Sequence, residues 1–343
     1  MMCENSLRES HGGSPLSDQS HIADVIIPAY HPDGKLLQLL SMLQQQAFKV
    51  RRIRLINTEE TGWAQFLSQQ GLSGEQFAQR FPEALVTHIR KSDFDHGATR
   101  NLGVLAAEGA DYVIMMTQDA VPADQNLVEA LVKPLMENAS LCASYARQAA
   151  REDAKEAERY TRRFNYPDEP RVKSEKDAPE LGIKTYFCSN VCAAYRRQVL
   201  LDLGLFPENM IFNEDMVFIG RALQAGWSVR YSPEAVVIHS HNYTAGQQFH
   251  RNFDLGISQA DHPEIFGRFP SEGEGVRYAK AVISYLRKKR AYAEILPFAA
   301  GCAARYAGFK LGRSYTKLPK SLALRCTSNR TFLERRLNST KEE

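Results

Sequence analysis

Long apolar runs are missing from this chain. The best uncharged stretch, Ile295–Ala304, has ten residues and includes Pro297 and Gly301, where a membrane-spanning helix needs about 20. Cysteine is sparse: of six, only Cys188 and Cys192 lie close, and no Cys or His beside them completes a zinc-site spacing. They read as the reduced thiols of a cytosolic protein. Residues 1–20 are polar where a secretory signal would be apolar. No Gly-rich, Lys-bearing loop follows the first apolar run, which argues against a nucleotidyltransferase working on a nucleoside triphosphate. The body also lacks positive charge. Val276–Glu343 holds sixteen Lys/Arg against four Asp/Glu, so the rest of a chain of net charge +3 carries −9. A nucleic-acid channel would place its cations beside the core, which argues against nucleic acid as the main substrate.

What is present suffices for a large domain with an appendage: 343 residues, 43% of them hydrophobic. Ala23–Pro28 is a short apolar run closed by a breaker, hence a buried strand. A helix with Leu36, Leu37, Leu39, Leu40 and Leu43 follows Pro32-Asp33-Gly34. Further strands are expected at Arg51–Asn57, Ala84–Ile89 and Tyr112–Met116, with a helix at Ala98–Ala107. This alternation predicts an α/β, mostly parallel, doubly wound sheet. Arg147–Gly182 is charged and broken by prolines around a helix at Glu152–Phe164, the pattern of a lid or binding loop. Structure resumes at Thr185–Tyr195, with a helix at Glu214–Ala225 and strands at Ser228–Tyr231 and Ala235–His239.

The most pointed chemistry lies in Lys91–Pro122. An acidic loop leads to a Gly-Ala-Thr-Arg-Asn helix entrance, an amphipathic helix, and a buried strand ending near the isolated carboxylate Asp119. Open α/β sheets bind ligands at the carboxyl ends of their strands. A second acidic pair, Glu214-Asp215, opens a helix about a hundred residues later. One acid for a metal and another for a proton outlines a nucleotide-sugar transferase.

Val25-Ile26-Ile27-Pro28-Ala29-Tyr30 resembles the opening strand of family 2 glycosyltransferases with the GT-A fold. Thr99-Arg100-Asn101-Leu102-Gly103 resembles their Arg-Asn-x-Gly helix, Thr117-Gln118-Asp119-Ala120 their DXD-type site, and Asn213-Glu214-Asp215 their acceptor-base motif. Together with Asp95-His96-Gly97-Ala98, these motifs are most like the bacterial rhamnosyltransferase branch, over roughly Ala23 to Asp261.

The resemblance implies a set of roles. Asp119 would hold Mg²⁺ or Mn²⁺ against the developing charge of a diphosphate leaving group, although Thr117 stands where the family usually has a second acid. Asp124 is the better placed to cap the next helix. Asp215 would take the acceptor hydroxyl's proton, with Glu214 orienting the acceptor; acids in a first helical turn are otherwise favoured by the macrodipole alone. The family often has a metal- or phosphate-binding histidine beyond this base. That points to His239 with His241 as alternate, both on one face if the strand continues. Pro28, Tyr30, Glu59, Asp93 and Asp95 fall on the nucleotide-sugar donor side, and Arg100 there pairs a phosphate or a neighbouring acid. Gly97 allows a tight turn.

The tail helices Val276–Arg290 and Phe298–Arg313 carry apolar stripes, Tyr278, Val282, Tyr285 and Leu286 in the first, beside basic residues. They suit either an anionic membrane surface or packing against the catalytic domain or a twin subunit in a homodimer. The expectation is a disordered segment 1–21, a GT-A domain 22–261 and a helical basic region 262–343. It is that of an inverting enzyme, peripheral on the inner face of the cytoplasmic membrane. The enzyme would move rhamnose from a dTDP donor to a glycan or lipid-linked glycan in bacterial surface-polysaccharide synthesis. The rival is a catalytically silent binding or scaffold protein, for which Thr117 and the Asn57-Thr58-Glu59 segment speak.

Overall fold

The computed structural model of the chain describes residues 21–268 and 272–339. All of the segment expected to be disordered except His21 therefore lies outside the described residues.

The strands are β1 Ala23–Tyr30, β2 Val50–Thr58, β3 Ala84–Ile89, β4 Tyr112–Met116, β5 Val121–Pro122, β6 Leu141–Ala149, β7 Arg171–Lys173, β8 Cys192–Arg196 and β9 Ser228–Ile238. They form one sheet in the order β3-β2-β1-β4-β8-β6-β9-β5, with β7 on β9. β3, β2, β1 and β4 are mutually parallel, β8 runs antiparallel to β4 and β6, and β6 and β9 are parallel again. The sheet is thus mixed and mostly parallel, covered on both faces by apolar clusters. Pro28 is tolerated in central β1 because the ladder to β4 has ended at Ile26↔Met115, so no bond from its missing N–H is required on that side.

Two sequence expectations change. β6 is unannounced by any apolar run: Cys142, Ala143, Ser144 and Ala146 are small, and they are buried because the strand is sandwiched between β8 and β9. The two strands expected after the Glu214 helix are one strand, β9. Its register with β6 slips from Ala146↔Ser232 to Arg147↔Val236, which accommodates Pro233. Asp124 also differs. It accepts from the Asn126 N–H in a local turn, while the Val128 N–H of helix Leu127–Glu137 donates to Gln46 Oε1.

The tail is bound to the body. Helix Glu272–Lys288 buries Val282 and Leu286 and sets Tyr285 and Tyr278 against Tyr160 and Phe164 of helix Glu156–Asn165. Of the alternatives for this stripe, an anionic membrane surface or packing on the catalytic domain or a twin subunit, it is packing on the body that is seen. Glu294 accepts from the Glu156 and Ala157 N–H groups, capping that same helix. Helix Ile295–Gly312 lies on helix Ala245–Asp261 at backbone contact: a Cβ on Gly312 would stand 2.0 Å from the Phe253 carbonyl oxygen, and one on Gly308 2.3 Å from that of Phe249. Its other face exposes Leu296 and Tyr306, 79% and 63% accessible. Among the described residues no helix is long and apolar enough to cross a membrane. Cys142, Cys188, Cys192 and Cys326 are buried free thiols.

Candidate active site

β4 is wholly buried, and the chain emerges from it at Thr117-Gln118-Asp119. Gln118 fixes this exit by pairing its side chain with the Tyr30 backbone: Tyr30 N–H donates to Oε1 at 2.9 Å, and Nε2 donates to the Tyr30 carbonyl at 3.0 Å. The amide thus extends the β1–β4 pairing that the backbone has abandoned. Asp119 is left 27% exposed, facing the end of β9.

There His239 and His241 project from one face, as their i, i+2 spacing predicts. The His239 Nε2 lies 3.6 Å from Asp119 Oδ1, the His241 Nε2 3.5 Å from Oδ2, and the two nitrogens are 3.0 Å apart. His239 Nδ1 meets Gln148 Oε1 at 3.0 Å, and that oxygen also accepts from Arg162, while Gln148 Nε2 donates to Ser189. This network makes Nδ1 the protonated nitrogen and leaves Nε2 a lone pair directed at Asp119 and His241, the state a metal ligand needs. Burial pushes His239 down to about 3 and lowers His241 as well, so both rings are neutral. One carboxylate and two neutral imidazoles, within 4.8 Å of one another, form a donor set that fits a divalent cation.

Across a cleft of about 410 Å³ stand Glu214 and Asp215. Glu214 is buried against Arg100, with Oε1 to Nη1 at 3.0 Å, and accepts from Asn190 Nδ2 at the same distance. Burial pushes its carboxyl up, but Arg100 and His96 outweigh that and hold it below the usual range. Asp215 accepts from the Asn190 and Met216 N–H groups. Its enclosed position and the Glu214 charge push it up to about 7.

The other expected residues divide. Tyr30, Glu59 and Lys91 gather at the carboxyl ends of β1 and β2. There Lys91 lies 5.3 Å over the Tyr30 ring and hydrogen-bonds its hydroxyl, which with the Glu59 charge raises the ammonium's pKa. Asp93 is exposed and paired with Arg90 at 2.7 Å. Asp95 and Arg100 are committed inside the fold. Asp95 caps helix His96–Ala106 through the Ala98 N–H and receives the Met210 N–H on its second oxygen. Gly97 is needed less for a turn than for contact, since a Cβ would stand 1.9 Å from the Pro207 carbonyl oxygen. Asn101 bonds both the N–H and the carbonyl of Phe206. The segment 95–101 therefore holds the loop that delivers Glu214-Asp215.

Sequence reading missed Gln148, Arg162 and Arg251. Arg251 stacks over Phe212 at 4.5 Å and Tyr243 at 5.7 Å on the cleft wall, with no carboxylate partner among the described residues. Nothing in a helix reading QQFHRNFD marks that arginine; only the fold brings it beside the histidines.

Residues 24–204 match the sequence profile of glycosyl transferase family 2. The chain belongs to this family. Among its relatives, the O-antigen chain rhamnosyltransferase WbaN of Salmonella anatum is 41% identical over 238 residues, 68% of this chain and 74% of that one. RfbN of Salmonella typhimurium, also an O-antigen chain rhamnosyltransferase, is 36% identical over 308 residues, 87% of this chain and 91% of its own. The mannosyltransferase PcManGT of Pyrobaculum calidifontis, solved with GDP-Man and Mn²⁺, superposes with a TM-score of 0.57 at 13% identity, over 85% of this chain and 86% of that one. This family 2 glycosyltransferase therefore has a GT-A-like α/β fold.

Proposed function

We propose that the enzyme transfers rhamnose from a dTDP-linked donor to a hydroxyl of a lipid-linked O-antigen glycan, with inversion at the anomeric carbon. The observation that carries the chemistry is the meeting of Asp119, His239 and His241 with Asp215 in one cleft. The identity of the sugar follows the two O-antigen rhamnosyltransferases that this chain matches over most of its length.

Asp215 is the base. A carboxyl held near 7 is matched to accepting a hydroxyl proton at neutral pH. Glu214, fixed by Arg100 and Asn190, keeps that carboxyl raised and shapes the acceptor side. Asp119, His239 and His241 hold a divalent cation, which when bound neutralises charge on the leaving diphosphate. Two imidazole nitrogens suit Mn²⁺ better than Mg²⁺, which keeps to oxygen and water. Arg251, its guanidinium braced by two rings, offers the cleft's unpaired cation to a phosphate oxygen. Pro28, Tyr30, Glu59 and Asp93, at the β1–β3 ends, take the nucleoside. The face of helix Ile295–Gly312 that exposes Leu296 and Tyr306 meets the inner surface of the cytoplasmic membrane.

The test is donor turnover with Mn²⁺ or Mg²⁺ and a panel of nucleotide sugars, with and without glycolipid extract of the native host. The expected result is extract-stimulated release of dTDP from dTDP-rhamnose, lost in Asp119→Ala and Asp215→Asn. Binding of nucleotide without release from any donor would favour the silent-module alternative.

A further inference from the structure

The segment Arg147–Gly182, charged and proline-broken in sequence, lines a cavity of about 620 Å³ beside the cleft, with Phe187 beyond it. Four aromatic side chains pack on one another as its wall, Tyr145, Tyr166 and Tyr231 only 4–5% exposed: Tyr145 lies 5.2 Å from Tyr231 and 5.7 Å from Phe187, and Tyr166 lies 6.1 Å from Phe187 and 6.2 Å from Tyr231, centroid to centroid. Lys173 of β7, 4% exposed, locks its back wall by donating to the carbonyls of Lys184 and Phe187 and lies 5.0 Å over the Tyr145 ring.

Three features give this cavity a use. It shares Arg162, Tyr166, Phe187 and Tyr243 with the cleft that holds Asp215, so the two adjoin. It stands on β6, β7 and β9, at the opposite end of the sheet from the β1–β3 ends proposed for the nucleoside. Displacement with inversion brings the incoming hydroxyl from the side away from the leaving diphosphate, and a cavity that adjoins the cleft of Asp215 gives an acceptor a way to reach that base. A further groove, sharing Tyr243, Gln248 and Arg305 with the cavity, continues along Pro297, Phe298 and Gly301 of helix Ile295–Gly312.

We propose that the aromatic cavity is the acceptor subsite, taking the saccharide end of a glycan whose remainder leaves along helix Ile295–Gly312. A pyranose offers a face of C–H groups to aromatic rings and a rim of hydroxyls to tyrosine and arginine donors. The volume lies within the roughly 300–1,000 Å³ of sites that bury a drug-sized ligand, enough for a short oligosaccharide. This proposal rests on the transferase reading above. It adds the place where acceptor specificity is set, on side chains other than Asp119, His239 and His241.

Two variants outside the cleft test it. Glu169→Trp, at an exposed rim position, fills the cavity's mouth, and Tyr231→Leu removes one ring of its packed wall. Both should raise the extract concentration for half-maximal rate at least tenfold, with dTDP affinity and extract-independent donor hydrolysis as in wild type. Saturation-transfer NMR with saccharide cleaved from the same extract gives an answer independent of turnover: contact with wild type, lost in Glu169→Trp. That readout decides the subsite even if dTDP-rhamnose proves not to be the donor. No saccharide contact in wild type, contact that survives filling, or an unchanged half-saturation in Glu169→Trp would overturn the proposal, as would loss of dTDP affinity on filling. Should Tyr231→Leu fail to fold, the rim variant carries the test alone.

Discussion

Glu214 and Asp215 are neighbours in sequence with opposite electrostatic fates. Arg100 holds one ionised inside the protein, and that fixed charge helps keep the other protonated until about pH 7. A base works only as the carboxylate, so kcat/KM should climb as pH rises through about 7 and fall away below it. Asp215→Asn should lower kcat by about 10²–10⁴-fold; a flat profile from pH 6 to 8 would remove Asp215 from the role. Arg100→Met strands Glu214 without its cation, and denaturant unfolding should report a loss of roughly 3–5 kcal/mol. At the proposed metal ligands, Mn²⁺ should half-activate the enzyme at lower concentration than Mg²⁺, and His241→Ala should narrow the gap. Equal activation by both ions in wild type would argue that the imidazoles do not ligate. Asp119, Asp215 and the two histidines could be nominated because they fall on motifs that resemble the family's; residue type alone would have left Asp215 a first-turn helix acid. Their partners were not. Arg100 to Glu214 and Gln148 to His239 are pairings between distant segments, and no local pattern encodes them.

Among the elements, helix His96–Ala106 explains why its motif reads as it does. Asp95, Gly97, Arg100 and Asn101 each meet the segment 206–214, through Met210, Pro207, Glu214 and Phe206 respectively. In sequence Asp95 looked like donor recognition because it falls where the family's base-recognising acid does, and Arg100 because an arginine near a helix N-terminus can pair a phosphate. Strands β1 to β4 were readable from their apolar runs. β6 was not, since a strand shielded by neighbours can be built from small residues. The helix pair Ala245–Asp261 and Ile295–Gly312 is held at backbone contact by glycine. Gly312→Ala forces these helices apart, and thermal unfolding should show a loss of roughly 1–3 kcal/mol. An unchanged melting temperature would mean that the pair yields freely.

For the whole molecule, the division into a domain ending at residue 261 and a tail is a division of sequence patterns that the packing crosses repeatedly. Glu294 caps helix Glu156–Asn165, Asp254 bonds Thr327 and the Ser328 N–H, and Arg335 reaches the Ser92 carbonyl. Composition separated the regions because the tail is basic, but charge balance says nothing about where apolar stripes are spent. A chain cut after Asp261 should therefore lose amide-exchange protection in helix Glu156–Asn165 first, while β1, β2 and β4 stay protected. Uniform protection in the truncated chain would show the tail to be dispensable for the body.

The cap on helix Glu156–Asn165 carries a consequence for biosynthesis. The ribosome delivers the sheet, the Asp119 cluster and the Asp215 helix well before it delivers Glu294, and domains tend to fold from the N-terminus as they emerge. A nascent chain can thus bring together Asp119, His239, His241 and Asp215 while helix Glu156–Asn165, on the wall of the aromatic cavity, is still uncapped. On the proposed assignments the donor side would form first, and the acceptor side would close only when translation is nearly done.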